Sequence, residues 1–190
     1  MIINDQISIR QCLPEDMGYV RNIYCQYISA EELITFEETN PTAEEMINRR
    51  NSVVSRGFPY IVAINDSSNE IIGYSYADSY RSRSAYRYSV ENSVYVSRNH
   101  CGKGIGKLLL GNLLMQLEKL GIKTCVAVLG TKEDNPQSFH LHSSFGFESV
   151  GVYKNIGFKN NKFIDRLHMQ LDIQKWVANG RPSSNNALKN

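Results

Sequence analysis

Apolar and polar positions along the chain follow two periods, and the switches between them mark out the elements. Ile7–Arg10, Tyr60–Asn65 and Glu70–Tyr80 are short stretches rich in β-branched and aromatic residues, which predicts strands. The polar Asp66-Ser67-Ser68-Asn69 between the last two makes them a hairpin. A long strand is predicted over Tyr86–Val96, and further strands over Thr124–Gly130, Glu148–Ile156 and Phe163–Ile173. The period changes at Ile105, Leu109, Leu113 and Leu117, with Leu110 and Leu114 beside them. That i, i+4 ridge predicts a helix with a wide buried face, continuing to Leu120 and ended by Gly121. Pro14-Glu15-Asp16 opens a helix to about Ser29, and Thr42-Ala43-Glu44-Glu45 is a capping box opening another to about Arg56. Asn135-Pro136 starts a short helix to Phe145. The order β-α-α-β-β-β-α-β-α-β-β implies an α/β (α+β) fold, a mixed central sheet with helices on both faces. The expected organisation is a single domain over residues 1–175 and a polar, disordered tail over 176–190.

Composition narrows the class. The 190 residues are 42% hydrophobic and 21% charged, enough for one substantial core. A net charge of +2 argues against nucleic acid or an anionic membrane as the main partner. Cys12, Cys25, Cys101 and Cys125 are widely spaced, and neither they nor the four histidines have metal-ligand spacing, so reduced thiols and no metal are expected. Met1 is followed by Ile-Ile-Asn-Asp rather than a basic and then apolar segment, and no 18-residue apolar run exists. The expectation is a soluble, cytoplasmic protein.

The candidate chemistry lies between strand and ridge. Cys101-Gly102-Lys103-Gly104-Ile105-Gly106-Lys107 sets three glycines and two lysines where a strand passes into a helix. Glycines allow a tight turn and close approach of a ligand, and the free N–H groups opening a helix favour an anion such as a phosphate. A Walker loop is excluded because Leu108 follows Gly106-Lys107, and a dinucleotide fingerprint because the third glycine comes one place early. The stretch resembles the pyrophosphate loop of GNAT-family N-acetyltransferases, (Gln/Arg)-x-x-Gly-x-(Gly/Ala), with Cys101 in place of the first residue. The blocks Arg81–Val96, Ala127–Gly130, Ser138–His142 and Val152–Lys159 are similar, in order, to the phosphinothricin and methionine-sulfoximine acetyltransferases.

That resemblance implies acetyl-CoA as co-substrate and an amino acid analogue as substrate: phosphinothricin, methionine sulfoximine or methionine sulfone. It implies Glu91 as general base, and His142, seven residues after Asn135, as acid for the thiolate or as orienter of Glu91. Val94, Tyr95 and Val96 would line the pantetheine arm, with the oxyanion donor near Val96. Gly102, Lys103, Gly104, Ile105, Gly106 and Lys107 would hold the pyrophosphate, with Asn135 and Ser138 nearby. Arg81, Arg83 and Tyr86 would clamp the amino acid, and Phe36 would wall off its methyl group. A homodimer is implied as well. Another amine, such as a protein N-terminus, and a non-catalytic CoA-binding sensor remain open; the intact Glu91 speaks against the sensor.

Overall fold

The structure, a computed structural model, describes residues 6–28 and 34–181. Its elements run β1 (Ile7–Gln11), α1 (Met17–Cys25), α2 (Ala43–Ser55), β2 (Tyr60–Asn65), β3 (Glu70–Ser79), β4 (Ser89–Val96), α3 (Ile105–Lys119), β5 (Thr124–Leu129), α4 (Pro136–Ser143), β6 (Glu148–Lys159), β7 (Lys162–Asp172) and α5 (Ile173–Ala178). They form a seven-stranded sheet in the order β1-β2-β3-β4-β5-β7-β6. Every neighbouring pair is antiparallel except β4 and β5. A parallel pair needs a crossover, and α3 supplies it.

Local chemistry explains the boundaries. Thr42 caps α2 by accepting from the Glu45 N–H, satisfying a donor the helix leaves open. A single turn of 3-10 helix over Pro14–Asp16 leads into α1, and Arg10 holds Asp16 through two bonds of 2.6 and 2.9 Å. The ridge of α3 is wholly inside: Ile105, Leu109, Leu110, Leu113, Leu114 and Leu117 are all at most 1% exposed. They pack on one face of the sheet against Ile61, Ala63, Ala127, Met169 and Trp176. On the other face α1 and α2 enclose a second cluster, with Val20, Ile23, Met46, Val53, Tyr60 and Tyr74.

Three boundaries differ from expectation. β4 begins at Ser89, because Ser84–Tyr86 forms a 3-10 turn closed by the Tyr86 N–H on the Arg83 carbonyl at 2.9 Å. β6 runs to Lys159 past an irregularity between Tyr153 and Gly157, where Asn155 takes a φ of 54°. The expected tail starting at residue 176 is corrected by α5: Asp172 caps it through the N–H groups of Gln174 and Lys175, and Trp176 is buried. The expected end of the first helix near Ser29 lies outside the described residues, as do residues 182–190 of the tail.

Candidate active site

The parallel pair is where the sheet opens. β4 pairs with β5 only at Ser89, Glu91 and the residue between them, although β4 continues to Val96 and β5 to Leu129. The Ser97 N–H bonds the Ile72 carbonyl at 2.8 Å. By the alternation of an antiparallel ladder, Ser97, Tyr95 and Ser93 therefore turn their backbone groups to β3, while Val96, Val94 and Asn92 turn theirs into the gap. Val94 and Val96 thus offer backbone donors there and Tyr95 does not; its ring packs with Tyr24, Tyr27 and Tyr74. The Tyr27 hydroxyl donates to the Val96 carbonyl and so occupies that acceptor.

The gap leads to the glycine turn. Gly102 and Gly104 have φ of 79° and 81°, left-handed conformations that a side chain resists. Gly104 is the N-cap of α3 without a side-chain cap, and the first intrahelical bond is Leu108 N–H to Gly104 O at 3.1 Å. The N–H groups of Ile105, Gly106 and Lys107 therefore have no partner within the helix, at the positive end of its dipole. Lys103 and Lys107 are exposed beside them, whereas the Ile105 side chain belongs to the core. This is a fitting cradle for a pyrophosphate.

Glu91 lies half-buried at the base of the opening, paired in register with Asp78 on β3 and Val126 on β5. Burial, with Asp78 adding to it, holds its carboxyl above the ordinary value, and Arg81 opposes the rise. A raised carboxyl near a cleft is the signature expected of a general base. A cleft of about 270 Å³ opens on this face, lined by Tyr24, Arg49, Tyr60, Tyr76 and Asp78 among others. A larger groove of about 410 Å³ lies between β6 and α5, away from Glu91.

His142 is on the opposite face. Its Nε2 meets the Asn92 amide at 3.0 Å and its Nδ1 the Ser138 carbonyl at 2.8 Å, so both ring nitrogens are engaged and neither touches Glu91. Burial pushes its pKa down to about 4, and the Ser138 carbonyl opposes this only in part. The imidazole is neutral at pH 7, and its hydrogen bonds run to Asn92 and Ser138 rather than to Glu91. Asn135 caps α4 by accepting from the Ser138 N–H at 3.1 Å.

The residues of the expected clamp share one loop, and Phe36 lies apart from them beside Arg166. Arg81, Arg83 and Tyr86 are exposed on the loop before β4, which bends rather than running extended. Arg81 lies over Tyr80 and within electrostatic reach of Glu91; Tyr86 meets Tyr80 edge-on. Arg83 makes no side-chain hydrogen bond or ion pair among the described residues. Phe36 lies over the Arg166 guanidinium, 4.1 Å from the ring centroid. Tyr27 and Arg166 were missed from sequence: the turn after α1 brings the first to Val96 on β4, and strand register brings the second to the face of Glu91. Among the described residues no cluster could hold a metal ion, and no helix is long and apolar enough to cross a membrane.

Residues 9–168 match the family model described as an acetyltransferase (GNAT) domain. The chain belongs to the GNAT acetyltransferase family. Among its GNAT relatives, the phosphinothricin N-acetyltransferase of Alcaligenes faecalis is 36% identical over 163 residues, 86% of this chain and 81% of that protein. The L-methionine sulfoximine/L-methionine sulfone acetyltransferase of Pseudomonas aeruginosa is 32% identical over 87% of this chain and 94% of its own. A solved GNAT phosphinothricin acetyltransferase from Sinorhizobium meliloti, in complex with AcCoA, superposes with a TM-score of 0.81 at 37% identity, covering 87% of this chain and 88% of that one. The seven-stranded mixed sheet is thus the GNAT fold, and the protein is an acetyltransferase.

Proposed function

We propose that this enzyme transfers the acetyl group of acetyl-CoA to the α-amino group of phosphinothricin, methionine sulfoximine or methionine sulfone. The observation that carries the reading is the half-buried Glu91, its carboxyl raised by burial, at the base of the gap between β4 and β5. Acetyl-CoA supplies an activated thioester. The open N–H groups of Ile105–Lys107, with Gly102–Gly104, hold its pyrophosphate, and Asn135 and Ser138 lie at the neighbouring helix end. The outward backbone of Val94 and Val96 pairs with the pantetheine arm as an added strand does.

Transfer is direct. Glu91 takes the proton of the substrate ammonium, itself or through one water, so that the free amine attacks. A backbone N–H near Val96 holds the thioester oxygen as it gains charge; the C–S bond then breaks, and the departing CoA thiolate takes, through water, the proton that the newly acylated nitrogen gives up. His142 acts by positioning Asn92, the residue after Glu91, rather than as a proton donor. Arg81, Arg83 and Tyr86 grip the substrate, and Phe36 covers its apolar end. One acetyltransferase domain, running through α5, is proposed to act in the cytoplasm. The outer strand β6 exposes Val150, Val152, Ile156 and Phe158, an apolar surface suited to a second copy in a homodimer.

The test is release of CoA with a panel of amino acid analogues and an N-terminal peptide, for wild type and Glu91→Gln. The analogues should be turned over, and Glu91→Gln should lose about 10² to 10⁴ in rate while still binding acetyl-CoA. Turnover of the peptide alone would redirect the reading to a protein N-terminus. No turnover with retained acetyl-CoA binding would favour a CoA sensor.

A further inference from the structure

We propose that Arg166 is a substrate-binding residue that takes the distal anionic head group of the amine, so that the enzyme favours acidic-headed amino acids over neutral ones. The inference rests on the amino acid reading above and adds a residue no motif pointed to.

Arg166 lies on the same face of the sheet as Glu91. Glu91 pairs with Val126, Val126 with Gln170, and Gln170, His168 and Arg166 alternate onto one side of β7. Two strand spacings and four residues along the strand separate it from Glu91, about 16 Å between Cα atoms. Both side chains stand on that face, so a substrate lying across it between β4 and β7 has Glu91 toward one end and Arg166 toward the other.

Arg166 is 4% exposed, and its buried Nη1 has no hydrogen-bond partner among the described residues. Asp165 accepts from Lys154 and from the Asn155 N–H, and Glu37 accepts from Arg49. Asp134 lies within electrostatic reach of the guanidinium, but its carboxylate accepts from the Thr131 hydroxyl and makes no ion pair with Arg166. A buried cation that no carboxylate among the described residues contacts directly is costly unless something anionic meets it.

What covers the cation is built in. Phe36 lays its ring over the guanidinium, and it fits because residue 157 is glycine: a Cβ there would stand 2.2 Å from the ring. Buried Lys159 donates to the Thr35 carbonyl at 3.0 Å, tying the Phe36 segment to β6. A half-exposed aromatic cover gives way at low cost to an anion, which bonds the planar guanidinium fork far better than a ring face does, and the displaced Phe36 ring is then free to lie over the apolar part of the same substrate. Phosphinate and carboxylate heads have that chemistry, and a sulfone lacks the charge.

The experiment measures kcat and KM for phosphinothricin, methionine sulfone and acetyl-CoA in wild type, Arg166→Leu and Arg166→Lys. Arg166→Leu should raise KM for phosphinothricin about ten- to a hundredfold, the weight of a charge-assisted bond, with kcat retained. Methionine sulfone and acetyl-CoA should change less than about threefold, within the context-dependence of such contacts. Arg166→Lys should fall between, and it carries the test if Arg166→Leu does not fold. Equal losses on both amines, unchanged selectivity in Arg166→Lys, or a weakened acetyl-CoA would overturn the assignment. Dimethylphosphinate supplies an arm independent of turnover. It should raise the Tm of wild type and leave Arg166→Leu, or in its place Arg166→Lys, less stabilised; an equal shift, or none in wild type, refutes the proposal. If no amine is acetylated but this arm succeeds, the substrate reading fails and the anion site stands.

Discussion

His142 makes a prediction whose size follows from its burial. The imidazole is held at about 4 against 6.5 in a free chain, so its charged form is disfavoured in the fold. A proton therefore binds the unfolded chain first. Stability from this group is complete above pH 6.5, declines as pH falls, and levels off below about 4. The difference of about 2.5 pKa units corresponds to about 3 kcal/mol in all, of which about 2 kcal/mol is lost between pH 7 and pH 5. Removing the ring should remove that slope, whatever it does to absolute stability. Denaturant unfolding of wild type, His142→Gln and His142→Phe at pH 7, 6 and 5 gives the comparison. Titration of Glu91 and other carboxylates is common to all three and cancels. Wild type should lose about 2 kcal/mol more than either variant over that interval. Parallel pH curves would refute the neutral imidazole and reopen a proton-donating role for His142 at the site.

Gly104→Val should weaken acetyl-CoA at least tenfold in a direct binding assay, because a φ of 81° costs a β-branched residue about 1–2 kcal/mol and its side chain crowds the cradle. Cys101→Ala should bind acetyl-CoA as wild type does, since that cradle is made of backbone groups; a tenfold loss there would contradict it. Arg83→Ala should raise the KM of methionine sulfone about ten- to a hundredfold without changing that of acetyl-CoA, and Arg83→Lys should recover only part. A weakened acetyl-CoA would move Arg83 out of the amino acid clamp.

Legibility of the fold from sequence followed the range of the forces involved. The ridge of α3 and the β2–β3 hairpin were readable because a helical face or a turn is encoded within a few residues. The start of β4 was not, since Tyr86–Tyr88 have strand-like side chains yet are held in and after a turn by Arg83 and Ser84 carbonyls. A sharper reading would have found α5: Asp172 is a capping residue followed by Ile173 and Trp176 at helical spacing. In the candidate site, Glu91 and the glycine turn are contiguous and could be named. The separation of His142 from Glu91 depends on which face each strand residue takes once β4 and β5 pair. Arg166 becomes notable only when Gly157 admits Phe36 above it, a meeting of segments more than a hundred residues apart.

The brevity of the β4–β5 pairing has a mechanical consequence. The sheet is in effect two antiparallel plates, β1 to β4 and β5 to β6, hinged at one short corner by Glu91 and its neighbours and spanned behind by α3. No ladder bond resists spreading or closing of the plates beyond that corner, so their relative stiffness is low where chemistry is proposed. A pantetheine arm bonded to the open edge of β4 would act as a staple, lending the two plates rigidity that the chain itself withholds. With the arm in place as proposed, the enzyme would acquire its working shape together with its acetyl donor, and the amine would meet the stiffer of the two forms.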